Sequence, residues 1–465
     1  MNYPRLIVGA THSGTGKTTL TMALILAVRR RGLTVQSYKV GPDYIDPGFH
    51  TLAAESPCRN LDTRMLGPDA VLELFQRSAE KADIALIEGV MGLYDGAGAL
   101  DERGSTAHLA KTLQSPVLLC IDASAMARSA AAVALGFTRF DPATPVGGFL
   151  FNNVGSRRHY ETVKAAVEDA TGIPVYGYVR RTPEVLLPER HLGLVPAWEN
   201  GSLPQSIIDL SEAVEETVEV DSLIETARAA PPLPKPGRSI LPPRSRRPSK
   251  PVRVAVAYDS AFHFYYRDNL DILEMLGVEL VNFSPLSDDR LPDYIAGVYL
   301  GGGYPELYAE VLEANSGMRA ALRKACVEGL PVYAECGGLM YLMDGLITFE
   351  GKRYEMAGVF PGTVKMEKKL HSLGYYSATA VKDSVAAEKG WKIPGHVFHW
   401  SSLIDIDPET EYAFRLNAPG KEAVFDGFVR ANTLASYFHI HFASDVRWAS
   451  RFVDMCRSGR GKPSR

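Results

Sequence analysis

The sequence predicts an α/β protein of two domains, each built on a mostly parallel sheet covered by helices. Three observations carry that expectation. Short apolar runs alternate with helix-length segments from residue 5 onward, a proline- and arginine-rich stretch breaks the alternation at 229–251, and a new apolar run, VRVAVAYD, restarts it directly afterwards. Runs that are apolar on both faces belong in a sheet covered on both sides. The chain has 465 residues, more than the roughly 250–300 that a single core fills, so a boundary is required. The expected layout is a first domain over 1–228, a linker over 229–251, where prolines displace the periodicity of a packed element, and a second domain over 252–465.

Composition narrows the function. The formal net charge is -4 and no long basic run stands out, so no nucleic-acid partner is expected. No apolar stretch approaches the roughly 18 residues of a membrane span, and MNYPRLIVGATHSG lacks the basic, apolar and small-residue succession of a signal peptide. These features predict a cytoplasmic protein with no membrane partner. Five cysteines, Cys58, Cys120, Cys326, Cys336 and Cys456, are odd in number and lack zinc-type spacing, so they read as reduced thiols.

In the first domain the apolar runs are RLIVGA, LTVQSYKV, IALIEGV, VLLCIDA, VGGFLFNNV and IPVYGYV. A helix is expected from about Thr18 to Arg31, and one or two amphipathic helices over 202–228, where Ile208, Leu210, Val214, Val218, Leu223 and Ile224 recur among acidic positions. Ligands of such sheets bind beyond the carboxyl ends of the strands, and there the polar and glycine residues gather. GATHSGTGKTTL, residues 9–20, leaves a strand and opens a helix. Its core of Gly16, Lys17 and Thr18 would set backbone N–H groups against phosphates, with the lysine toward the terminal phosphates and the threonine hydroxyl toward magnesium; Thr15 and Thr19 complete the nucleotide-binding set. Thr11 stands where the usual pattern has glycine, so the loop is a variant.

SYKVGPDYIDPGFH, residues 37–50, lies at the end of the second strand, which Lys39 closes, and runs into a loop over Asp43 to His50 fixed by Pro42, Pro47 and Gly48. A lysine beside phosphates stabilises charge that develops in phosphoryl transfer and an aspartate can ligate magnesium, which makes Lys39 and Asp46 catalytic candidates and Asp46 a metal candidate. Asp43 or Asp46 could equally cap a turn. Glu88, closing the strand IALIE, is the expected second magnesium contact. Asp95 is a weaker one, because Asp-Gly marks turns. Asn152 and Asn153 could read a nucleotide base or form a turn.

The second domain carries different chemistry. LPVYAECGGLMYL puts Cys336 between a short strand and a glycine pair that opens a helix, where N–H groups favour a thiolate nucleophile. His439 in ASYFHIHFASD is the expected base; His371, His396 and His399 rank lower. Gly301, Gly302 and Gly303 of LGGGYPE can turn N–H groups toward an oxyanion, and Gly302, Gly303 and Gly337 are the candidates for that role.

THSGTGKTT, KVGPDYIDPGFH, RNLD, IEGVMGLYDG, FNNVGSRRH, GGGYPE, AECGGLMYL, GHVFHWS and LASYFHIHFAS together resemble the cobyrinate a,c-diamide synthase family over nearly the whole chain. That family joins a dethiobiotin-synthetase-like P-loop domain to a class I glutaminase domain. The resemblance implies glutamine hydrolysis through a thioester on Cys336, with His439 raising its nucleophilicity, and ATP-driven phosphorylation of a tetrapyrrole acetate that ammonia converts to the amide. ATP and glutamine are the implied co-substrates, Mg2+ the implied ion and a tetrapyrrole acid the implied substrate, faced by Asp43, Tyr44, Gly48 and Phe49; a homodimer is one candidate assembly. Relatives with similar motifs amidate cobyrinate, hydrogenobyrinate, nickel sirohydrochlorin or sirohaem-type acids, and cobyrinate is the first choice. A P-loop ATPase switch, the reading from another class, would need neither Cys336 nor His439. In other class I glutaminases a glutamate stands two residues after the histidine; His441 holds that place here, so the third triad member is open.

Overall fold

The computed structural model describes residues 3–181, 189–190, 193–194, 202–243 and 250–459. It divides into two units, Met1–Ser239 and Ile240–Arg465, and residues 244–249 of the proline-rich stretch lie outside the described residues. In the first unit the apolar runs form strands β1 (Arg5–Ala10), β2 (Val35–Val40), β3 (Arg59–Leu61), β4 (Ile84–Glu88), β5 (Val117–Asp122), β6 (Val146–Val154) and β7 (Val175–Arg180). They make one all-parallel sheet in the order β3-β2-β4-β1-β5-β6-β7. Three-residue β3 is too short to show a pattern in the sequence and was absent from the expected set. Because every strand runs the same way, the carboxyl ends share one edge, and the register sets both Val8 and Lys39 beside Glu88.

The covering helices are α1 (Lys17–Arg30), α2 (Asp46–Ala54), α3 (Pro68–Ala79), α4 (Thr106–Leu113), α5 (Ser129–Phe140), α6 (Arg157–Thr171), α7 (Gln205–Thr217) and α8 (Val220–Arg228). Leu20, Leu24 and Val28 of α1 meet Leu210 and Val214 of α7, and Leu223 and Ile224 of α8, over Leu6 and Val8 of β1. Each such burial contributes about 1.5–3 kcal/mol. On α7 it is Ile207 that faces this core, with Ile208 only partly covered.

The helix α2 corrects the reading of Asp43 to His50 as a loop. Pro47 sits in the first turn, where a missing N–H costs nothing. Asp43 Oδ1 accepts from the N–H groups of Ile45 at 2.7 Å and Asp46 at 3.3 Å, so the turn residues open a helix.

The second unit holds a ten-stranded sheet. Val278–Phe283, Val252–Ala257, Gly297–Leu300, Val332–Glu335 and Thr433–Ser436 lie parallel in that order. Beyond them Val424–Arg430, Tyr412–Asn417, Ser372–Ala380, Lys392–His399 and Phe438–His439 continue antiparallel. The inner parallel strands Gly297–Leu300 and Val332–Glu335 are buried on both faces, whereas Ser372–Ala380 mixes covered and open positions, as a sheet with one wet face does. Helix Arg447–Ser458 buries Trp448, Phe452, Val453 and Cys456, one face at helical spacing. No helix among the described residues is long and apolar enough to cross a membrane.

Arg5 ties three segments of the first unit. Fully buried at the start of β1, it donates to the carbonyls of Tyr3 and Leu113 at 2.8 Å, Gln114 at 3.2 Å and Pro231 at 2.6 Å. Arg5→Met fills the space but leaves these acceptors without a donor, and should cost the first unit about 3–5 kcal/mol. Hydrogen-exchange mass spectrometry of β1 and α4 peptides across a urea series measures it; an unchanged midpoint would refute the tie.

Candidate active sites

At the carboxyl edge of the first unit, the P-loop turns on Gly14 and Gly16, both at positive φ. Lys17, buried at the start of α1, donates to the carbonyl of Met91 at 2.6 Å, so the loop after β4 folds over the P-loop. Burial pulls the Lys17 ammonium below its ordinary value. Thr18 Oγ1 donates to Glu88 Oε1 at 2.7 Å and lies 3.4 Å from Asp46 Oδ2. Lys39 Nζ bridges the two carboxylates, 2.5 Å from Asp46 and 2.8 Å from Glu88. Burial opposes the charge of Lys39, but Asp46 and Glu88 outweigh it and keep the ammonium charged. Burial likewise works against ionised Glu88, and Lys39 and His50 hold it below the usual carboxylate range.

The structure thus brings Lys17, Thr18, Lys39, Asp46 and Glu88 together. It places other candidates differently. Thr15 is buried with its hydroxyl on the His12 carbonyl at 2.7 Å, and Thr19 is half-buried in the first turn of α1. Asn152 braces the P-loop, its Nδ2 donating to the Thr15 carbonyl at 2.8 Å, and Asn153 Nδ2 donates to Asp122 at 2.9 Å. Asp95 accepts from Gly92 N at 2.8 Å, the turn contact expected of Asp-Gly. Asp43 caps α2, and burial followed by the charge of Asp46 raises its carboxyl. Tyr44 and Gly48 are half-buried in this segment. Phe49, expected at the substrate, is instead 3% exposed inside the apolar core with α1, because the helix turns it inward. His50 was missed: its Nε2 meets Glu88 Oε2, and its four-residue spacing from Asp46 puts both on one helix face.

In the second unit Cys336 ends the strand Val332–Glu335 and precedes the short helix Gly337–Leu342. Its φ of 48° and ψ of -100° form a strained elbow, held where Cys336 N donates to the Ser436 carbonyl at 2.8 Å. The thiol is 8% exposed and lies 3.9 Å from the Phe398 carbonyl. His439 is hydrogen-bonded to Cys336 and Glu335; burial alone would lower its pKa, but these partners lift it to about 10. Its Nδ1 lies 3.5 Å from Glu335 Oε2. Gly302 and Gly303 pair with Phe262–Phe264, and a Cβ on Gly337 would lie 3.0 Å from Gly303 N, so this N–H is beside the elbow. Gly301 N is already bound to the Tyr265 hydroxyl at 2.7 Å. Of the lower-ranked histidines, His371 is exposed, while burial pushes His396 and His399 down to about 3. All five cysteines are free thiols.

A P-loop site and a cysteine–histidine elbow in one chain define a glutamine-hydrolysing amidotransferase. The model for the CobQ/CobB/MinD/ParA nucleotide binding domain matches residues 6–195, and that for the CobB/CobQ-like glutamine amidotransferase domain matches 253–446. The chain is 46% identical to a cobyrinate a,c-diamide synthase of Dehalococcoides mccartyi, covering 97% of this chain and 98% of the relative. It is 40% identical to that of Priestia megaterium, over 99% and 98% respectively, and 40% identical to that of Methanosarcina barkeri, over 99% and 97%. The chain belongs to the cobyrinate a,c-diamide synthase family, ligases that carry out glutamine-dependent amidation in cobalamin biosynthesis.

Gly303 offers a test of the elbow's surroundings. At φ 155° its Cβ position would lie 1.9 Å from the Ala261 carbonyl, so Gly303→Ala must displace the N–H beside Cys336. Glutaminase kcat should fall by about 10²- to 10³-fold, while amidation supplied with ammonium is kept. Full glutaminase activity in this variant would remove Gly303 from the oxyanion site.

Proposed function

We propose that this chain converts the a and c acetate side chains of cobyrinate to primary amides, in the cytoplasm, using ATP and the amide nitrogen of glutamine. Its likeness along the full chain to relatives called cobyrinate a,c-diamide synthase is the observation that carries the substrate. A carboxylate is a poor acyl donor, so a leaving group must be installed first. One acetate oxygen attacks the γ-phosphorus of ATP, ADP leaves, and an acyl phosphate forms. Ammonia then displaces phosphate and a proton is lost, leaving the amide.

Lys17 and Lys39 supply fixed positive charge where negative charge builds during phosphoryl transfer. Thr18, Asp46 and Glu88 form an all-oxygen cluster that fits Mg2+, and they would hold it. An ion held by so few side chains would complete its shell with phosphates and water. Held there, the ion would neutralise phosphate charge.

At the other site the Cys336 thiolate adds to the carboxamide carbon of glutamine. The N–H groups of Gly303 and Gly337 face the resulting oxyanion, and His439 gives its proton to the leaving ammonia. Water hydrolyses the thioester and frees glutamate.

Two variants separate the half-reactions, read by mass spectrometry of monoamide and diamide. Cys336→Ala should abolish glutamine-dependent amidation and keep the ammonium-dependent reaction; a folded variant that ammonium does not rescue would overturn the division of labour. Lys17→Ala should lower amidation from either nitrogen source by about 10²-fold or more and leave glutamine hydrolysis measurable. Unchanged ammonium-dependent turnover would show the P-loop to be a structural turn.

A further inference from the structure

We infer that Glu335, the residue immediately before the nucleophile, is the positioning carboxylate of the glutaminase site, orienting His439 toward Cys336 and itself held by Tyr299 and Tyr333. The inference rests on the reading of Cys336 and His439 as the glutaminase pair.

Glu335 is 1% exposed and sits among hydrogen-bond donors. Oε2 lies 3.5 Å from His439 Nδ1 and accepts from the Tyr299 hydroxyl at 3.3 Å. Oε1 accepts from the Tyr333 hydroxyl at 2.5 Å and from the N–H of Ile440 at 3.3 Å. One carboxylate therefore touches both the ring of His439 and the peptide that follows it. The backbone makes this arrangement: Tyr333 and Glu335 are two apart on one strand and share a face, and Tyr299 is the register partner of Tyr333 on the neighbouring strand. Contact at Nδ1 leaves the other ring nitrogen for the thiol, the division of labour that lets an imidazole relay a proton.

The position two residues beyond the histidine is turned to other work. His441 stacks on Tyr266 at 4.9 Å between ring centroids, has Nε2 3.9 Å from Asp268, and receives the Ala443 N–H at Nδ1. The acid that meets the His439 ring at Nδ1 is Glu335. The groups facing His439 are Cys336 and Glu335, with His396 across the strand pair and His399 beyond. Glu335 in turn faces Tyr265, Tyr299 and Tyr333, with Asp426 behind Tyr333.

Glu335→Gln keeps the volume and the acceptor oxygen but removes the charge. In the full chain, glutaminase kcat should fall by about 10²- to 10⁴-fold with little change in KM for glutamine, and ammonium-dependent amidation should be kept. The pH profile of Cys336 alkylation by iodoacetamide should change in parallel, its His439 limb moving down by about one pH unit or more. Glu335→Asp should recover part of the rate. Tyr333→Phe, which deletes one donor and keeps the ring, should lower kcat by about 3- to 10-fold without loss of fold. Wild-type kcat and an unmoved alkylation profile in Glu335→Gln would overturn the assignment. So would loss of the glutamine and ammonium reactions together, the mark of a structural tie. Cys336→Ala run alongside identifies the deeper failure: glutamine hydrolysis surviving there would overturn the underlying pair and this role with it.

Discussion

Glu88, the last residue of β4, is buried with one oxygen on Lys39 and Thr18 and the other on His50. An ionised carboxylate at such a depth loses several kcal/mol of hydration unless partners replace it. The partners here come from three separate segments: the first turn of α1, the end of β2 and the buried face of α2. The compensation of one charge therefore fixes the P-loop helix, the second strand and the helix after it relative to one another. Asp46 joins through the same lysine, which gives the cluster two carboxylates, a hydroxyl and an ammonium within hydrogen-bonding reach. That combination can exchange partners when phosphates arrive, because each group has a charge complement in the triphosphate or its ion.

The second unit answers the same constraint largely with hydroxyl and peptide N–H donors. Glu335 ends its parallel strand as Glu88 ends β4, but tyrosine hydroxyls and a peptide N–H surround it alongside a histidine. Asp426 repeats the device nearby. Buried on Val424–Arg430, the antiparallel strand beside Thr433–Ser436, it accepts from Ser436 Oγ at 2.7 Å and from the N–H groups of Tyr437 at 3.3 Å and Phe438 at 3.0 Å. These are the residues that lead into His439, so a buried carboxylate shapes the histidine's approach as well as its ring orientation. Burial raises Asp426 while four hydrogen-bond donors pull against it.

The sites were legible in the sequence to the extent that they sit at the ends of apolar strands. Lys17, Thr18, Lys39, Glu88 and Cys336 all follow runs whose hydrophobicity announces a covered parallel sheet, and the parallel rule sends their ends to one edge. The remainder was hidden where local signals conflict. Pro42, Pro47 and Gly48 punctuate 37–50 like a loop, although Pro47 is at home in a helix's first turn; treating α2 as loop concealed the Asp46–His50 spacing and made buried Phe49 look available. Asn152 carries the polarity of a base reader, and only the fold reveals that its partner is the Thr15 carbonyl. Glu335 stands in AECGG without a signal of its own, since a contact to His439 depends on two strands meeting in space and leaves no spacing to find.

The elbow shows why packing and chemistry cannot be assigned to different residues here. A Cβ on Gly338 would come within 2.6 Å of the Leu300 carbonyl, and one on Gly337 within 3.1 Å of Pro305. The helix after Cys336 therefore lies against Gly297–Leu300 because Gly338 lacks a side chain, and Gly337 leaves little room for one beside the glycine segment. That close approach is also what carries Gly303 N to the nucleophile and brings Gly302 beside the ring of His439, where its Cβ would lie 3.2 Å from Cε1. Strain at Cys336, with its positive φ, is sustained by the surrounding backbone bonds to Ser436 and Met340. A substitution that relaxed the elbow would at once open the helix packing, withdraw N–H groups from the site and shift the histidine, so the strained geometry is maintained by the same contacts that hold the sheet to its helix.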